Sequence, residues 1–399
     1  MSWETLDDTL FRLSYKCSSQ EQYSSKIAMF DLDHTLVKPR QAKKYPKNST
    51  DWMWWDRTIL QRLSDINEKG FTIVIITNQA GVEKKAAKRD EVMERIQNIF
   101  KEILDYCEPR YVEVYISLAV DVYRKPNTTI FEKYIFPQVK NKLEKVFYVG
   151  DAAGRPEDFS DSDRKFAFNL HILLKYELPN KKIGVPFATP EEFFRSDPFE
   201  PRSWSGLNPR QIYEASKGEK EWSPSELTSG TRYVILLVGP PASGKSTISA
   251  KIEKSCESIC YVSQDICRTK EKCLSEFSHG LRSDKKIIIV DNTNPDEESR
   301  KRYIAATRLY EDEIGYKFTI LCIVMKSDPE LYEHLNIYRE RISFHRGSLI
   351  KRVPEIAYRM FDKKYTEPSS YEDIDEIINL HWVPEFHTKY EILMFMQKS

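Results

Sequence analysis

Residues 233–247, YVILLVGPPASGKST, constrain this chain more than any other stretch. An apolar run, 233–238, leads into Gly239-Pro-Pro-Ala-Ser-Gly244-Lys245-Ser246 and then into a helix start. This is a full match to the phosphate-binding pattern of Gly, four residues, then Gly-Lys-Ser/Thr. Glycine lets backbone N–H groups turn toward an anion, and the helix N-terminus adds partial positive charge. Gly239, Ser243, Gly244 and Thr247 are the expected cradle. Lys245 reaches the β- and γ-phosphates, and the Ser246 hydroxyl holds Mg²⁺. An ordinary glycine turn needs no apolar strand before it, so a nucleoside triphosphate is the expected ligand.

The strand–loop–helix rule that this motif imposes recurs along the chain. Apolar runs at 26–37, 71–81, 111–120 and 146–155 alternate with helical periodicity at 52–70, 88–106 and 128–142. A second series follows 233–238, with strands at 259–262, 285–291 and 317–325. Near-continuous apolar strands separated by helices predict parallel sheets covered on both faces. With 399 residues there is room for two such cores. The expected division is an arm over 1–22, loosely packed; a first domain over 23–190; a Pro-, Ser- and Gly-rich linker over 191–227; and a second domain over 228–399. The formal net charge of zero gives no global field toward nucleic acid or membrane, so a polyanion must be met by local patches. Seven cysteines without metal-like pairing read as reduced thiols. No signal peptide or run of about 18 apolar residues is present, so no membrane partner is expected.

In the first half, carboxylates cluster where strands end, the side of a parallel sheet on which ligands bind. Asp31 and Asp33 follow the first strand as D-x-D-x-T. Two carboxylates on alternate residues suit a nucleophile and a neighbouring proton donor; an acidic turn is the bland alternative. Thr77 ends the second strand with a hydroxyl, Lys125 lies in RKP (124–126), and Asp151 ends the fourth strand in VGDAAGR. Asp163 is a further carboxylate for a metal shell, with Asp158 and Asp161 as alternatives. Trp52, Trp54 and Trp55 fit a core better than a base-stacking wall. The basic stretches 38–47 and 84–89 suit either a phosphate backbone or plain solvated surface.

These four segments resemble the haloacid-dehalogenase phosphatase signature in order. The resemblance implies Asp31 as nucleophile, Asp33 as general acid then base, and Thr77 and Lys125 on the phosphoryl group. It also implies Mg²⁺ on Asp31, the Asp33 backbone carbonyl, Asp151 and Asp163. His34 stands where that family most often has glycine.

In the second half, Asp265 follows a strand and is placed to take a proton from an attacking hydroxyl. Arg268 is three residues on, suited to an acceptor phosphate. Asp291 and Asn292 stand at another strand end, the first as a Mg²⁺-side carboxylate. Arg339 and Arg341, on a helix past the last core strand, are both candidates for the lid arginine that stabilises transferring charge.

Taken together, DLDHTL, ITNQAG, YRKP, VGDAAGR, FATPEEFF, GPPASGKST and DNTNPD resemble the eukaryotic polynucleotide 5′-kinase/3′-phosphatase family. The resemblance implies an α/β chain with a haloacid-dehalogenase-like phosphatase before a P-loop kinase. It implies Mg²⁺ as cofactor, ATP as phosphoryl donor and nucleic acid ends as substrate: strand breaks with 3′-phosphate or 5′-hydroxyl termini. A nuclear repair role with repair-complex partners follows from the same resemblance. With about 22 residues before the phosphatase, the forkhead-associated module of vertebrate members is expected to be absent. RNA end-healing, a metabolite kinase/phosphatase fusion and a non-catalytic scaffold are the alternatives. Activity on mononucleotides would favour the metabolite enzyme, whereas intact Asp31, Lys125 and Lys245 argue against a scaffold.

Overall fold

A strand whose residues are apolar on both faces must be covered on both faces, and the chain meets that demand twice. The structure, a computed structural model, describes residues 3–399 except 19–20, 42–45, 85–86, 218–221, 228–229, 327 and 349. It divides into two units, Met1–Pro209 with Thr388–Ser399, and Arg210–His387.

The first unit contains β1 (Trp3–Asp7), β2 (Leu10–Lys16), β3 (Lys26–Phe30), β4 (Val37–Lys38), β5 (Met53–Trp54), β6 (Phe71–Asn78), β7 (Tyr111–Ser117), β8 (Lys145–Val149) and β9 (Phe187–Ala188). Seven of these form one sheet in the order β1-β2-β7-β6-β3-β8-β9. From β7 to β9 the neighbours run parallel, with α1 (Ile59–Glu68), α2 (Arg89–Cys107), α3 (Phe136–Val139) and α4 (Ser162–Glu177) between them. β3 lies inside the sheet, bonded to β6 on one side and β8 on the other. The chain therefore leaves its carboxyl end at the place where the crossovers diverge.

Three expectations are corrected here. Within the stretch 1–22, read as a loose arm, Trp3–Lys16 is ordered into strands. β1 and β2 form a hairpin that extends the sheet antiparallel to β7. Arg12 of β2 reaches the fully buried Glu113 of β7 at 3.4 Å, and Tyr111 and Tyr115 donate to the same carboxylate at 2.6 Å. Tyr23 donates to it as well. The helix expected over 52–70 starts only at Ile59, because Met53–Trp54 pairs with Val37–Lys38. Trp52 is core and Trp54 and Trp55 pack beside it, as the apolar reading held.

The third correction concerns the C-terminus. Residues 388–399 were expected in the second domain, yet they cluster with the first. α12 (Lys389–Met396) buries Leu393, Met394 and Phe395. Beyond it, the Lys398 N–H donates to Asn169 Oδ1 at 2.7 Å.

The second unit is a five-stranded sheet in the order β11-β12-β10-β13-β14. Its strands are β10 (Tyr233–Val238), β11 (Ile259–Val262), β12 (Ile287–Val290), β13 (Thr319–Lys326) and β14 (Glu376–His381), all pairing parallel. β10 is central, so its carboxyl end opens between those of β12 and β13. The helices are α6 (Lys245–Ser255), α7 (Gln264–Cys267), α8 (Lys270–Arg282), α9 (Glu297–Ile314), α10 (Pro329–His345) and α11 (Glu355–Lys364). α5 (Pro209–Ala215) starts at the unit boundary, inside the segment read as a linker. β14 escaped sequence reading because EIINLH is largely exposed, an edge strand without a core-strand signature.

Docking of the C-terminal helix has a measurable consequence. Phe395 is fully buried, so Phe395→Ala should cost about 3–5 kcal/mol, read as a lower urea midpoint of the full chain. An unchanged midpoint would contradict that docking.

Candidate active sites

The first site is built where β3, β6 and β8 end. Asp31 is fixed at the end of β3 by its N–H to the Val149 carbonyl at 2.9 Å. Lys125 reaches in from the loop after β7. Asn78 clasps its backbone from both sides, accepting from the Lys125 N–H at 3.0 Å and donating to its carbonyl at 3.2 Å. The buried ammonium forms ion pairs with Asp31 and, at 2.8 Å, with Asp163. Tyr148 accepts from Lys125 at 2.8 Å and donates to Asp163 at 3.0 Å. Asp151 is set by its N–H to the Thr35 hydroxyl at 3.0 Å. Gly150 has to be bare, since a Cβ there would stand 2.5 Å from the Asp163 carboxylate.

Oxygens of Asp31, Asp151 and Asp163 converge within 4.8 Å of one another. Burial, partly offset by the charge of Lys125 and reinforced by that of Asp163, raises Asp31 to about 7. Burial and the charge of Asp31 push Asp151 well above the usual carboxylate range. Three hard oxygen donors brought together in this way fit a divalent cation such as Mg²⁺. Of Asp158, Asp161 and Asp163, it is Asp163 that joins Asp31 and Asp151 in this cluster. Asp158 instead binds Arg155, and Asp161 pairs with Lys165.

Asp33 stands apart from that cluster. Arg95 of α2 grips both its oxygens, at 2.5 and 3.2 Å, and Gln79 donates at 2.5 Å. Burial opposes ionisation, but the Arg95 charge and these hydrogen bonds win, holding Asp33 below its usual value. The same Gln79 amide donates to the Thr77 hydroxyl at 2.8 Å. His34 has φ +60°, the left-handed region that suits the glycine common in this slot. The conformation costs a non-glycine residue about 1–2 kcal/mol; its N–H donates to the Val37 carbonyl at 2.6 Å.

Sequence reading missed Asn78, Gln79, Arg95 and Tyr148. Asn78 and Gln79 follow Thr77 directly, so the strand-end rule reaches them. Arg95 and Tyr148 sit within a helix and a strand, where only the tertiary fold reveals their partners. Part of each basic stretch, residues 42–45 and 85–86, lies outside the described residues.

The second site lies at the end of β10. No side chain fits at Gly239, where a Cβ would meet the Ser243 hydroxyl at 2.8 Å and Met325 at 2.9 Å. Lys245 is buried and donates to the Gly239 and Pro240 carbonyls at 3.0 and 2.6 Å. Burial lowers it to about 8; Arg339 adds to that effect, while Asp291 and Asp265 oppose it. Asp291 is buried, accepting from Tyr261 at 2.7 Å and from Ser249 at 3.3 Å. Ser246, Thr247, Asp265 and Arg268 are exposed. Arg268 takes φ +70° as the cap of α7. The two lid candidates separate: Arg339 is one of the charges acting on Lys245, and Arg341 is buried within α10. The Ser243 hydroxyl and the Arg339 Nε–H are buried with no partner among the described residues. A buried cation with free donors around it fits a triphosphate.

Residues 26–194 match the family described as polynucleotide kinase 3 phosphatase, and residues 234–360 match the AAA domain family. Over 377 residues the chain is 31% identical to a bifunctional polynucleotide phosphatase/kinase of Schizosaccharomyces pombe, covering 94% of this chain and 83% of that protein. The chain belongs to the bifunctional polynucleotide phosphatase/kinase family. A member named as a putative one, from Acanthamoeba polyphaga mimivirus, is 31% identical over 386 residues, 88% of this chain and 83% of its own. A polynucleotide 3′-phosphatase of Saccharomyces cerevisiae is 29% identical over 212 residues, 39% of this chain and 87% of its own. As in this family, a phosphatase-type α/β unit precedes a P-loop kinase-type one, in the order read from the sequence. Among the described residues no helix is long and apolar enough to cross a membrane.

A divalent cation on the carboxylate cluster would compete with protons for it. A carboxyl raised from about 3.9 in the unfolded chain makes the fold lose stability as pH climbs through that window, which for Asp31 closes at about 7. Mg²⁺ should therefore raise the Tm more at about pH 8 than at about pH 5.5. Asp151→Asn should shrink that difference, and equal shifts at both pH values would contradict the assignment.

Proposed function

We propose that the two sites act on opposite termini of a nucleic acid strand break. The first removes a 3′-phosphate, and the second phosphorylates a 5′-hydroxyl from ATP, leaving ends ready for joining. The carrying observation is the carboxylate cluster closed around Lys125 in a chain that also bears a complete P-loop.

In the first site, an Asp31 oxygen attacks phosphorus and the bond to the 3′-oxygen breaks. The phosphoryl group passes to Asp31 as an acyl phosphate, while the leaving oxygen takes a proton from Asp33. Asp33 then accepts a proton from water, whose oxygen attacks the acyl phosphate and restores Asp31. The Arg95 grip favours the ionised form that this second half needs. For the first half the grip has to loosen as the leaving oxygen arrives. Lys125 and Thr77 hold phosphoryl oxygens. Mg²⁺ on Asp31, Asp151, Asp163 and the Asp33 carbonyl supplies charge neutralisation.

In the second site, Lys245 and the loop donors bind the ATP phosphates. Asp265 takes the proton of the 5′-hydroxyl as that oxygen attacks the γ-phosphorus. Arg339 is the arginine of choice for transition-state charge, since its charge already reaches Lys245. Arg268 faces the acceptor strand from the cap of α7. Ser246, with Asp291, would hold a Mg²⁺ that neutralises phosphate charge. A nuclear DNA-repair setting with repair-complex partners goes with this chemistry.

The test uses a labelled oligonucleotide with a 3′-phosphate and a 5′-hydroxyl, incubated with full-length protein, Mg²⁺ and ATP. Asp31→Asn should abolish 3′-phosphate release and leave 5′-phosphorylation intact. Asp265→Ala should slow 5′-phosphorylation by about 10²–10⁴-fold and spare the phosphatase. Phosphate release by the first variant, or full kinase rate in the second, would refute the corresponding role.

A further inference from the structure

Helix α4 has a face that the carboxylate cluster does not use. Just past Asp163, residues Arg164, Phe168 and His171 follow one another at helical spacing along a cavity of about 330 Å³. Phe187, Phe199, Arg202 and Trp204 complete its walls. The cavity lies wholly within the first unit, and none of the phosphatase residues lines it.

Its walls pair flat cations with rings. The Arg164 guanidinium lies 3.7 Å from the centre of the Trp204 ring, and the Phe168 ring centre is 5.5 Å from the same ring. Arg202 lies 4.5 Å from the centre of Phe199 and 5.5 Å from that of Phe187. The Lys398 ammonium stands 4.7 Å from the centre of Trp204. The carboxylate among the lining residues is Glu192, already ion-paired with Arg202. Arg202 has a side chain only 5% exposed, yet its Nε–H has no hydrogen-bond partner among the described residues. Burial and the charge of Arg202 hold Arg164 below the ordinary arginine value, with Asp161 opposing. Arg164 itself donates to the Ser203 and Ala153 carbonyls at 3.1 and 3.4 Å, so the two arginines repel one another at a cavity whose lining carboxylate is Glu192.

We propose that this cavity is a nucleotide-binding site separate from both catalytic centres, holding a phosphate on Arg164 and Arg202 and a base against the aromatic walls. Guanidinium groups match phosphate oxygens by planar, multiple donation, and aromatic faces stack any base. The volume is that of a small-molecule site. The occupant is either a free mononucleotide or one nucleotide unit of a bound strand. The site stands whether or not the two reactions proposed above are correct, because binding here needs no turnover.

Calorimetric titration of the full chain, without Mg²⁺ or ATP, distinguishes the two sources. One arm uses thymidine 5′-monophosphate, and the other a thymidine octanucleotide with both termini unphosphorylated. Arg202→Gln should weaken the site's true occupant on the order of tenfold to a hundredfold. Phe199→Ala should weaken it in the same arm, and since that ring is 71% exposed the variant is expected to fold normally. A loss in the mononucleotide arm assigns a free nucleotide, and a loss confined to the octanucleotide arm assigns a strand unit. Unchanged affinity for both probes in both variants would overturn the proposal.

Discussion

One buried ammonium sets the terms for the first unit. Taking a charge out of water costs several kcal/mol even after the surroundings relax, so Lys125 can stay buried only beside the carboxylates of Asp31 and Asp163. Those carboxylates, with Asp151, outnumber it. The surroundings are shaped by this imbalance. Gly150 is bare so that Asp163 can pack over it, and Tyr148 bridges Lys125 to Asp163. Asn78 holds the Lys125 backbone, and Asn169 donates to the next carbonyl, that of Pro126, at 2.9 Å.

The second unit also turns on a buried ammonium. Lys245 is buried against loop carbonyls and lowered to about 8, chiefly by burial, with Arg339 adding to that effect and Asp291 and Asp265 opposing it. The first site gathers three carboxylates around one ammonium; the second sets its ammonium among donors with no partner among the described residues. Both stand at the carboxyl ends of central parallel strands, where a sheet offers side chains and N–H groups without a neighbouring strand to occupy them. In the first site the unbalanced charge describes the ligand, and in the second the unpartnered donors do.

Much of this was legible from residue order. The apolar strands at 26–30, 71–78, 111–117, 145–149 and 233–238 announced themselves because both faces are covered. Asp31, Thr77, Lys125, Asp151 and the P-loop stand out as candidates in the sequence because strand ends are where chemistry collects. Three things stayed hidden. β1 and β2 are held partly by a tyrosine and arginine network on Glu113, which is long-range and leaves no local periodicity. β14 is an exposed edge strand. Arg95, seated on α2, is a surface-type residue by composition, and only the fold brings it 2.5 Å from Asp33.

The path of the chain through the two units bears on how the molecule is made. Residues 210–387 form one unit between two parts of the other. Ribosomes deliver residues in order, and domains tend to fold as units as they emerge. The sheet that carries Asp31 has all its strands early, but the unit around it is closed only when residues 388–399 arrive. Asn169, synthesised early, waits for Lys398, and the face covered by Leu393, Met394 and Phe395 stays open while the whole P-loop unit is being made. The P-loop unit can close on itself in the meantime. The half of the molecule that begins first is the half completed last, and a chain cut anywhere within the P-loop unit leaves both halves unfinished.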